Sequence, residues 1–171
     1  KIYLCDFGGS LGSLYFQHRS LFKSNLIEWN IVEQKHFVKY ANNKIKIKNL
    51  HFYDNFNFLL KKKINVALFS SSLQYLRNPY QILDKMIKKK IPNIIIHRSP
   101  FTKKNETIKI QHVPKYIYDA SYPIRILNIK NIRNKFYKAG YKMKTKYTLK
   151  EEIDGYLYET FYFEKKKIKW K

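Results

Sequence analysis

Short apolar runs alternate along the first half of the chain with segments whose apolar spacing fits helices. This alternation is typical of βαβ units, in which helices cover both faces of a mostly parallel sheet. It constrains the fold of these 171 residues more than any other feature, and it predicts the α/β class. The runs predicted as parallel strands are Ile2–Asp6, Trp29–Glu33, Leu50–Tyr53, Val66–Ser70 and Ile94–His97.

The end of the chain predicts two antiparallel strands. Tyr141–Thr148 and Tyr156–Glu164 alternate apolar and polar residues, and Asp154-Gly155 between them suits a hairpin turn. The segment Ser99–Tyr122 contains prolines and is predicted to be irregular, with a short strand at Ile108–Val113. Because segments of this length often act as lids or bind substrate, we expect it to lie near a functional site.

Basic residues outnumber acidic ones by 35 to 12, which gives a formal net charge of +23. Lys and Arg neutralise phosphates, so this charge favours a nucleic-acid partner. However, Arg occurs at only five positions, while Lys, Ile, Asn, Tyr and Phe are abundant, as a coding bias toward A and T predicts. Since readers of nucleic acid use Arg for bidentate contacts, we expect no stable nucleic-acid partner. Peripheral contact with an anionic membrane surface stays open.

The remaining composition sets further limits. Every apolar run is shorter than the roughly 20 residues that cross a bilayer, so no transmembrane segment is expected. The lone Cys5 excludes a disulfide within the chain and suits a reducing compartment, so a cytoplasmic protein is expected. No metal is expected, because the His residues lack metal-ligand spacing. The length suits one domain, residues 1–171. The chain begins on its first predicted strand without an initiator Met, so we expect it to lack an N-terminal segment that helps to cover the substrate.

A glycine-rich turn follows the first predicted strand. Its sequence is Asp6-Phe7-Gly8-Gly9-Ser10-Leu11-Gly12, and a helix is predicted directly after it. In an open parallel sheet, ligands bind beyond the carboxyl ends of the strands, where glycines let the backbone pass close to them. The Lys-Ser/Thr ending of a phosphate loop is absent. The turn is instead similar to the acidic-x-Gly-x-Gly-x-Gly turn that holds S-adenosylmethionine.

Two further acidic residues end neighbouring strands. Glu33 follows Gly12 by about 20 residues, the offset at which an acid meets ribose hydroxyls in dinucleotide folds. Asp54 directly follows the third strand, and its carboxylate can accept a hydrogen bond from an adenine amine. Together with Asp6, these residues place three of the chain's 12 acids at successive strand ends, a pattern that favours a nucleoside ligand over scattered, solvated carboxylates.

Several segments resemble a family of class I S-adenosylmethionine-dependent methyltransferases whose members are often encoded beside surface-polysaccharide genes. The resemblance covers nearly the whole chain. It implies a Rossmann-like three-layer sandwich with a mostly parallel seven-strand sheet whose last strands form an antiparallel pair. The segments that carry it are Asp6–Gln17, Trp29–Gln34, Phe52–Asp54, Ser71–Leu76, Arg98–Phe101 and Ala120–Pro123.

The resemblance also implies which residues bind S-adenosylmethionine. Asp6, Gly8, Ser10 and Gly12, with Gly9 beside them, correspond to the methionine side; Glu33, followed by Gln34, to the ribose; and Asp54 to the adenine. Ser71, Ser72 and Leu73 are expected alongside the cofactor, with Gln74 and Tyr75 facing the reaction centre.

The sequence departs from the family pattern at Ser10, where the middle glycine is usual, and at His97, where an acid is expected. Methyl transfer is an in-line displacement, so a base is needed only when the acceptor is protonated. His97 is the candidate base for a hydroxyl acceptor, or alternatively a strand-end histidine that bonds to the backbone. Arg98 is a candidate for gripping an anionic group of the substrate, or for an ordinary ion pair.

The function expected from these features is S-adenosylmethionine-dependent O-methylation of a small molecule or a glycan. The turn Ser70-Ser71-Ser72-Leu73-Gln74-Tyr75 replaces the Asn/Asp-Pro-Pro-Tyr/Phe turn of methyltransferases that act on nucleobase amines, which disfavours that activity. Two alternatives stay open. One is a basic protein that binds or methylates RNA, and the other is an inactive methyltransferase fold that serves as a binding module.

Overall fold

The computed structural model describes residues 1–22, 25–59, 61–117 and 119–166. Within them, strands and helices alternate up to the fifth strand, as the sequence predicts. The strands are β1 (Ile2–Phe7), β2 (Leu26–Val32), β3 (Leu50–Tyr53), β4 (Val66–Ser70), β5 (Asn93–Thr102), β6 (Thr107–His112), β7 (Ser121–Asn128), β8 (Tyr141–Ile153) and β9 (Tyr156–Lys165). The helices are α1 (Ser13–Phe22), α2 (Lys35–Lys44), α3 (Phe56–Leu59), α4 (Pro79–Lys88) and α5 (Ile129–Lys138), and a 3₁₀ turn spans Leu73–Tyr75.

The strands form one nine-stranded sheet, in which seven follow the order β3-β2-β1-β4-β5-β9-β8 and the other two, β6 and β7, are joined to it at β5. The first five are parallel. β9 runs antiparallel to β5, and β8 runs antiparallel to β9. The predicted α/β class, with a mostly parallel seven-strand sheet that ends in an antiparallel pair, is confirmed. Because the five parallel strands point the same way, the loops that follow β1, β2, β3, β4 and β5 meet at one edge.

The sheet also carries a hairpin that the sequence did not predict in full. Within Ser99–Tyr122 the predicted short strand at Ile108–Val113 is present as β6, but the segment is more regular than predicted, because β5 continues to Thr102. β6 and β7 pair antiparallel, and β7 joins β5 through the pairs Phe101–Leu127 and Thr102–Asn128. Pro100 suggests a break, because proline removes a ladder hydrogen bond. It lies instead just after a register shift between Ile96 and Ser99, and such irregularities are where strands tolerate proline.

Side chains on the two faces of the sheet pack into two separate cores. On β1, Leu4 packs with Trp29 and the buried residues of α1 and α2, while its neighbour Cys5 packs on the opposite face. That opposite core includes buried residues of α3, α4 and α5, such as Phe136. Alternation of side chains along a strand produces this division, and it gives the three layers, helix–sheet–helix. No helix in the described ranges is long and apolar enough to cross a membrane.

Asparagine caps fix the starts of two helices. The Asn78 side chain accepts a hydrogen bond from the Gln81 amide at 3.3 Å, and Pro79 occupies the first turn of α4. The Asn128 side chain accepts from the Asn131 amide at 3.0 Å at the start of α5. Each cap satisfies an amide that has no partner within its helix. The cap at Asn128 also ends β7, so the hairpin leads directly into α5.

Candidate functional site

The glycine-rich turn packs tightly against the ends of two strands. The Gly8 amide donates to the carbonyl of Val32 at 2.8 Å. Gly8 has a φ of +75°, and a Cβ atom at this position would lie 2.6 Å from the Cβ of Ser72. Both the left-handed backbone and this close approach require glycine. The turn after β1 is therefore held against the ends of β2 and β4.

Asp6 lies beneath this turn and is fully buried. Its Oδ2 accepts a hydrogen bond from Trp29 Nε1 at 3.1 Å, and its carboxylate lies 2.6 Å from where a Cβ of Gly9 would stand. Burial raises the pKa of Asp6 to about 6, while the Trp29 hydrogen bond acts in the opposite direction. Oδ1 has no hydrogen-bond partner among the described residues. The Asp6 carboxylate therefore packs against Gly9 and is hydrogen-bonded to Trp29 on β2.

A pocket of about 430 Å³ opens where β1, β2, β3 and β4 end, and we call it the strand-end pocket. Its wall combines carboxylates and hydroxyls with apolar side chains, which suits a ligand that has an apolar ring and several polar groups. The residues that line it are Phe7, Gly8, Val32, Glu33, Gln34, Asp54, Phe56, Ser71, Ser72, Tyr75 and Leu76.

The structure brings seven of the predicted site residues into this wall: Gly8, Glu33, Gln34, Asp54, Ser71, Ser72 and Tyr75. The other predicted residues do not line the pocket: Asp6, Gly9, Ser10, Gly12, Leu73, Gln74, His97 and Arg98. Sequence reasoning missed Phe7, Val32, Phe56 and Leu76. Each of these lies within two positions of a predicted polar residue, so proximity to the strand ends is the signal that could have found them.

Glu33 joins the end of β2 to the glycine-rich turn. Its Oε2 accepts from the Ser10 amide at 3.0 Å, and its Oε1 accepts from the Gln34 amide at 2.8 Å. A carboxylate offers about four acceptor positions, so both oxygens keep capacity for hydroxyl donors. Asp54 is exposed at the end of β3 on the same wall. Two carboxylates therefore line the wall at successive strand ends.

His97 lies inside β5, which continues beyond the predicted end of the strand at His97, and it pairs with Ser70 at the end of β4. Ser70 Oγ and His97 Nδ1 hydrogen-bond at 2.8 Å, and the Ser71 amide donates to the His97 carbonyl at 2.9 Å. Burial, and then the positive charge of Arg98, lower the pKa of His97. The imidazole is therefore neutral at pH 7, the state from which it can accept a proton.

Arg98 is already paired in this structure. Its Nη2 lies 2.6 Å from Glu151 Oε2 on β8, its Nε donates to the same oxygen at 2.8 Å, and its Nη1 donates to Ser71 Oγ at 3.1 Å. Ser71 and Arg98 have φ values of +49° and +51°, and Ser10 has +51°, which non-glycine residues rarely adopt. Strain of this kind concentrates at functional sites. The ion pair holds the loop after β4 against the β8–β9 pair.

The three residues of the 3₁₀ turn differ in burial and in the contacts that they make. Leu73 is buried in the core. Gln74 is also buried, and its Oε1 accepts a hydrogen bond from Ser99 Oγ at 2.8 Å. Tyr75 is partly exposed in the pocket wall, and its hydroxyl donates to Gln111 on β6 at 2.8 Å. Of the three, Tyr75 alone lines the strand-end pocket.

Among the described side chains, no group of three or more His, Cys, Asp or Glu residues is arranged to hold a metal ion.

Solved structures of methyltransferases share this fold. Magnesium protoporphyrin IX methyltransferase (ChlM) from Synechocystis PCC 6803, solved with bound SAH, matches with a TM-score of 0.65 and 13% identity over 96% of this chain and 74% of its own. The glycopeptide N-methyltransferase MtfA, complexed with S-adenosyl-L-homocysteine, matches with a TM-score of 0.65 and 10% identity over 97% of this chain and 82% of its own.

LepI, solved in complex with SAH and a substrate analogue, matches with a TM-score of 0.62 and 11% identity over 97% of this chain. The matched region is 43% of LepI, so this chain spans less than half the length of that protein. No protein-family model matches the sequence, and no curated protein matches it. At these low identities, the likeness establishes that the chain has a Rossmann-like fold of the kind found in these methyltransferases.

Proposed function

We propose that this chain is a methyltransferase that binds S-adenosylmethionine in the strand-end pocket. The observation that carries the proposal is the pairing of Glu33 and Asp54 at successive strand ends with the close-packed turn at Gly8. A nucleoside presents a diol and an amine, and both donate hydrogen bonds that carboxylates accept. The structural neighbours ChlM and MtfA, whose solved structures hold the methylated or demethylated form of this cofactor, support the choice of ligand.

The pocket wall suggests how the parts of the cofactor are distributed. Glu33 lies beside the turn and accepts from the ribose hydroxyls, while Asp54, farther along the wall, accepts from the adenine amine. Phe56 and Leu76 supply apolar surface for the adenine ring. The methionine part lies toward Gly8, with Ser71 and Ser72 alongside. Asp6, Gly9, Ser10 and Gly12 act by shaping the turn.

The bound cofactor supplies a methyl group on a positively charged sulfur, which makes the methyl carbon electrophilic. The residues of this chain orient the two reactants and exclude water, which is sufficient for much of the rate of an in-line displacement. His97, neutral at pH 7 and level on β5 with the end of β4, takes the proton of a hydroxyl acceptor. The Ser70–Ser72 turn, which lacks the motif of enzymes that act on nucleobase amines, supports an oxygen acceptor on a small molecule or a glycan.

Isothermal titration calorimetry with S-adenosylmethionine tests the proposal. We expect the wild type to bind, and Glu33→Gln, which keeps the size of the side chain but loses its charge, to bind about 10- to 100-fold more weakly, since hydrogen bonds to a charged group contribute about 1.5–3 kcal/mol each. Glu152→Gln is the matched control, because Glu152 is exposed on β8 and does not line the pocket. Wild-type protein that shows no binding at millimolar cofactor refutes the proposal.

A further inference from the structure

A second cavity adjoins the strand-end pocket on the other side of Tyr75 and Leu76. It has a volume of about 260 Å³ and lies between the 3₁₀ turn and the β6–β7 hairpin. We call it the hairpin groove. The residues that line it are Gln74, Tyr75, Leu76, Arg77, Ile108, Pro123 and Arg125. Tyr75 and Leu76 line both cavities, so the groove lies directly beside the strand-end pocket, with these two side chains between them.

The hairpin turns one apolar face toward this groove. Ile108 pairs with Arg125 and Ile110 pairs with Pro123 across the β6–β7 ladder, so these four residues share a face. Ile108 is 55% exposed and Ile110 is 54% exposed, although neighbouring strands of the sheet bury their apolar residues. Of the two, Ile108 lines the groove, so its exposed side chain offers apolar surface to a ligand there.

Two guanidinium groups flank the apolar surface. Arg77 and Arg125 form no ion pair with any described acidic side chain. Arg125 donates to the backbone carbonyl of Arg77 at 3.4 Å, and its Nε is buried without a hydrogen-bond partner among the described residues. A buried donor of this kind is costly unless a ligand satisfies it. A carboxylate or a phosphate accepts from guanidinium groups with good geometry.

The groove is also held in place. The Tyr75 hydroxyl donates to Gln111 on β6, and its ring packs edge-on against Tyr122 on β7 at 5.4 Å between ring centroids. Lys109 on β6 lies 3.6 Å from Asp154 at the β8–β9 turn. These contacts fix the hairpin against the wall that the two cavities share, so its outward face keeps a constant position relative to the strand-end pocket.

We infer that the hairpin groove binds the methyl acceptor, and that this acceptor joins an apolar ring or chain to an anionic group. The apolar part lies against Ile108, Leu76 and Pro123, and the anionic group meets Arg77 and Arg125. This inference rests on the proposed methyltransferase function, because the groove adjoins the strand-end pocket through Tyr75. It goes beyond that function by naming the chemistry of the acceptor.

Three eight-carbon probes test the inference: octanoate, octyl phosphate and the neutral octyl glucoside. Titration calorimetry without S-adenosylmethionine is expected to show that at least one anionic probe binds at least tenfold more tightly than octyl glucoside. The comparison of octanoate with octyl phosphate then identifies which anionic group the groove prefers. An equal affinity for the neutral probe, or no binding of either anionic probe at millimolar concentration, overturns the inference.

Substitutions in and beside the hairpin groove test where the probes bind. Ile108→Glu is expected to weaken binding of the anionic probe at least tenfold, because it places a negative charge in the groove. Ile110→Glu is the matched control, since it has the same exposure but does not line the groove. Arg77→Gln and Arg125→Gln are each expected to weaken the anionic probes about tenfold and to leave octyl glucoside unchanged. Equal loss in Ile108→Glu and Ile110→Glu contradicts the inference.

A separate titration keeps the two proposals distinguishable. Ile108→Glu and Arg77→Gln are expected to bind S-adenosylmethionine as the wild type does, whereas Glu33→Gln is expected to lose the cofactor and keep the octyl probes. Failure of the wild type to bind S-adenosylmethionine refutes the methyltransferase function. Loss of cofactor binding in both groove variants, with the octyl probes unaffected, refutes the assignment of the groove.

Discussion

Replacing Asp6 with asparagine measures how strongly the buried carboxylate opposes folding. Burial raises the pKa of Asp6 from 3.8 to about 6 in the folded protein. Between these two values the folded state holds a proton that the unfolded state has released, so the free energy of unfolding falls as the pH rises. The difference between the two pKa values corresponds to about 3 kcal/mol. This stability is present below about pH 4 and is lost by about pH 7.

Asparagine stays neutral at every pH, so the Asp6→Asn variant lacks this dependence. We expect the stability of the variant relative to the wild type to rise by about 3 kcal/mol between pH 4 and pH 7. Urea unfolding, followed by circular dichroism at pH 4, 5, 6 and 7, measures the difference. Asp119→Asn is the control, because Asp119 is exposed. A difference between Asp6→Asn and the wild type that is constant from pH 4 to pH 7 refutes the reasoning.

Three further substitutions test the turn, the ion pair and the core. Gly8→Ala is expected to weaken S-adenosylmethionine binding at least tenfold, because the new Cβ lies 2.6 Å from the Cβ of Ser72. Gly155→Ala is the control: Gly155 also has a positive φ, but a Cβ there meets nothing within 4 Å. This variant has the same kind of backbone strain and is expected to bind S-adenosylmethionine normally. Arg98→Lys loses the pair of contacts that Arg98 Nε and Nη2 make with Glu151 Oε2. Cofactor titration is expected to show about fivefold weaker binding, equivalent to about 1 kcal/mol. Urea unfolding is expected to change by less than about 1 kcal/mol, because the pair is half exposed. Phe136→Ala removes a fully buried ring that stacks on Phe163 at 4.2 Å between ring centroids. Urea unfolding is expected to show that the free energy of unfolding falls by about 3–5 kcal/mol. A fall of less than about 1 kcal/mol contradicts the packing described above.

The parallel strands were predictable from the sequence because their signals are local. Val66–Ser70 is a short apolar run, and the observed β4 has the same bounds. The β6–β7 hairpin was not predictable in full, since it depends on pairing across the chain. Its first strand was predicted, since Ile108–Val113 indicates a strand, but Pro123 argues against the second when it is considered alone. In the structure, Pro123 pairs with Ile110, and the alternation along β6 follows from that pairing.

The candidate site likewise contains some residues that the sequence could predict and others that it could not. Glu33 and Asp54 were predictable, because the ends of parallel strands meet at one edge of a sheet. The burial of Asp6 was not, because it depends on Trp29, which packs beneath the turn from the neighbouring strand. The partner of Arg98 was equally hidden, because Glu151 is 53 residues away along the chain. Contacts that form between distant segments leave no mark in a local pattern.

The β6–β7 hairpin is joined to the main sheet by few backbone pairs, which affects where the sequence of this protein can vary. Its ladder to the main sheet consists of the two pairs Phe101–Leu127 and Thr102–Asn128. A change at the tip of the hairpin therefore leaves the pairing of the parallel strands untouched. A change at Gln111 or Tyr122 is different, because both residues contact Tyr75 in the wall of the strand-end pocket. Variation among relatives of this chain is therefore expected to be greatest at the tip of the hairpin and smallest where the hairpin meets Tyr75.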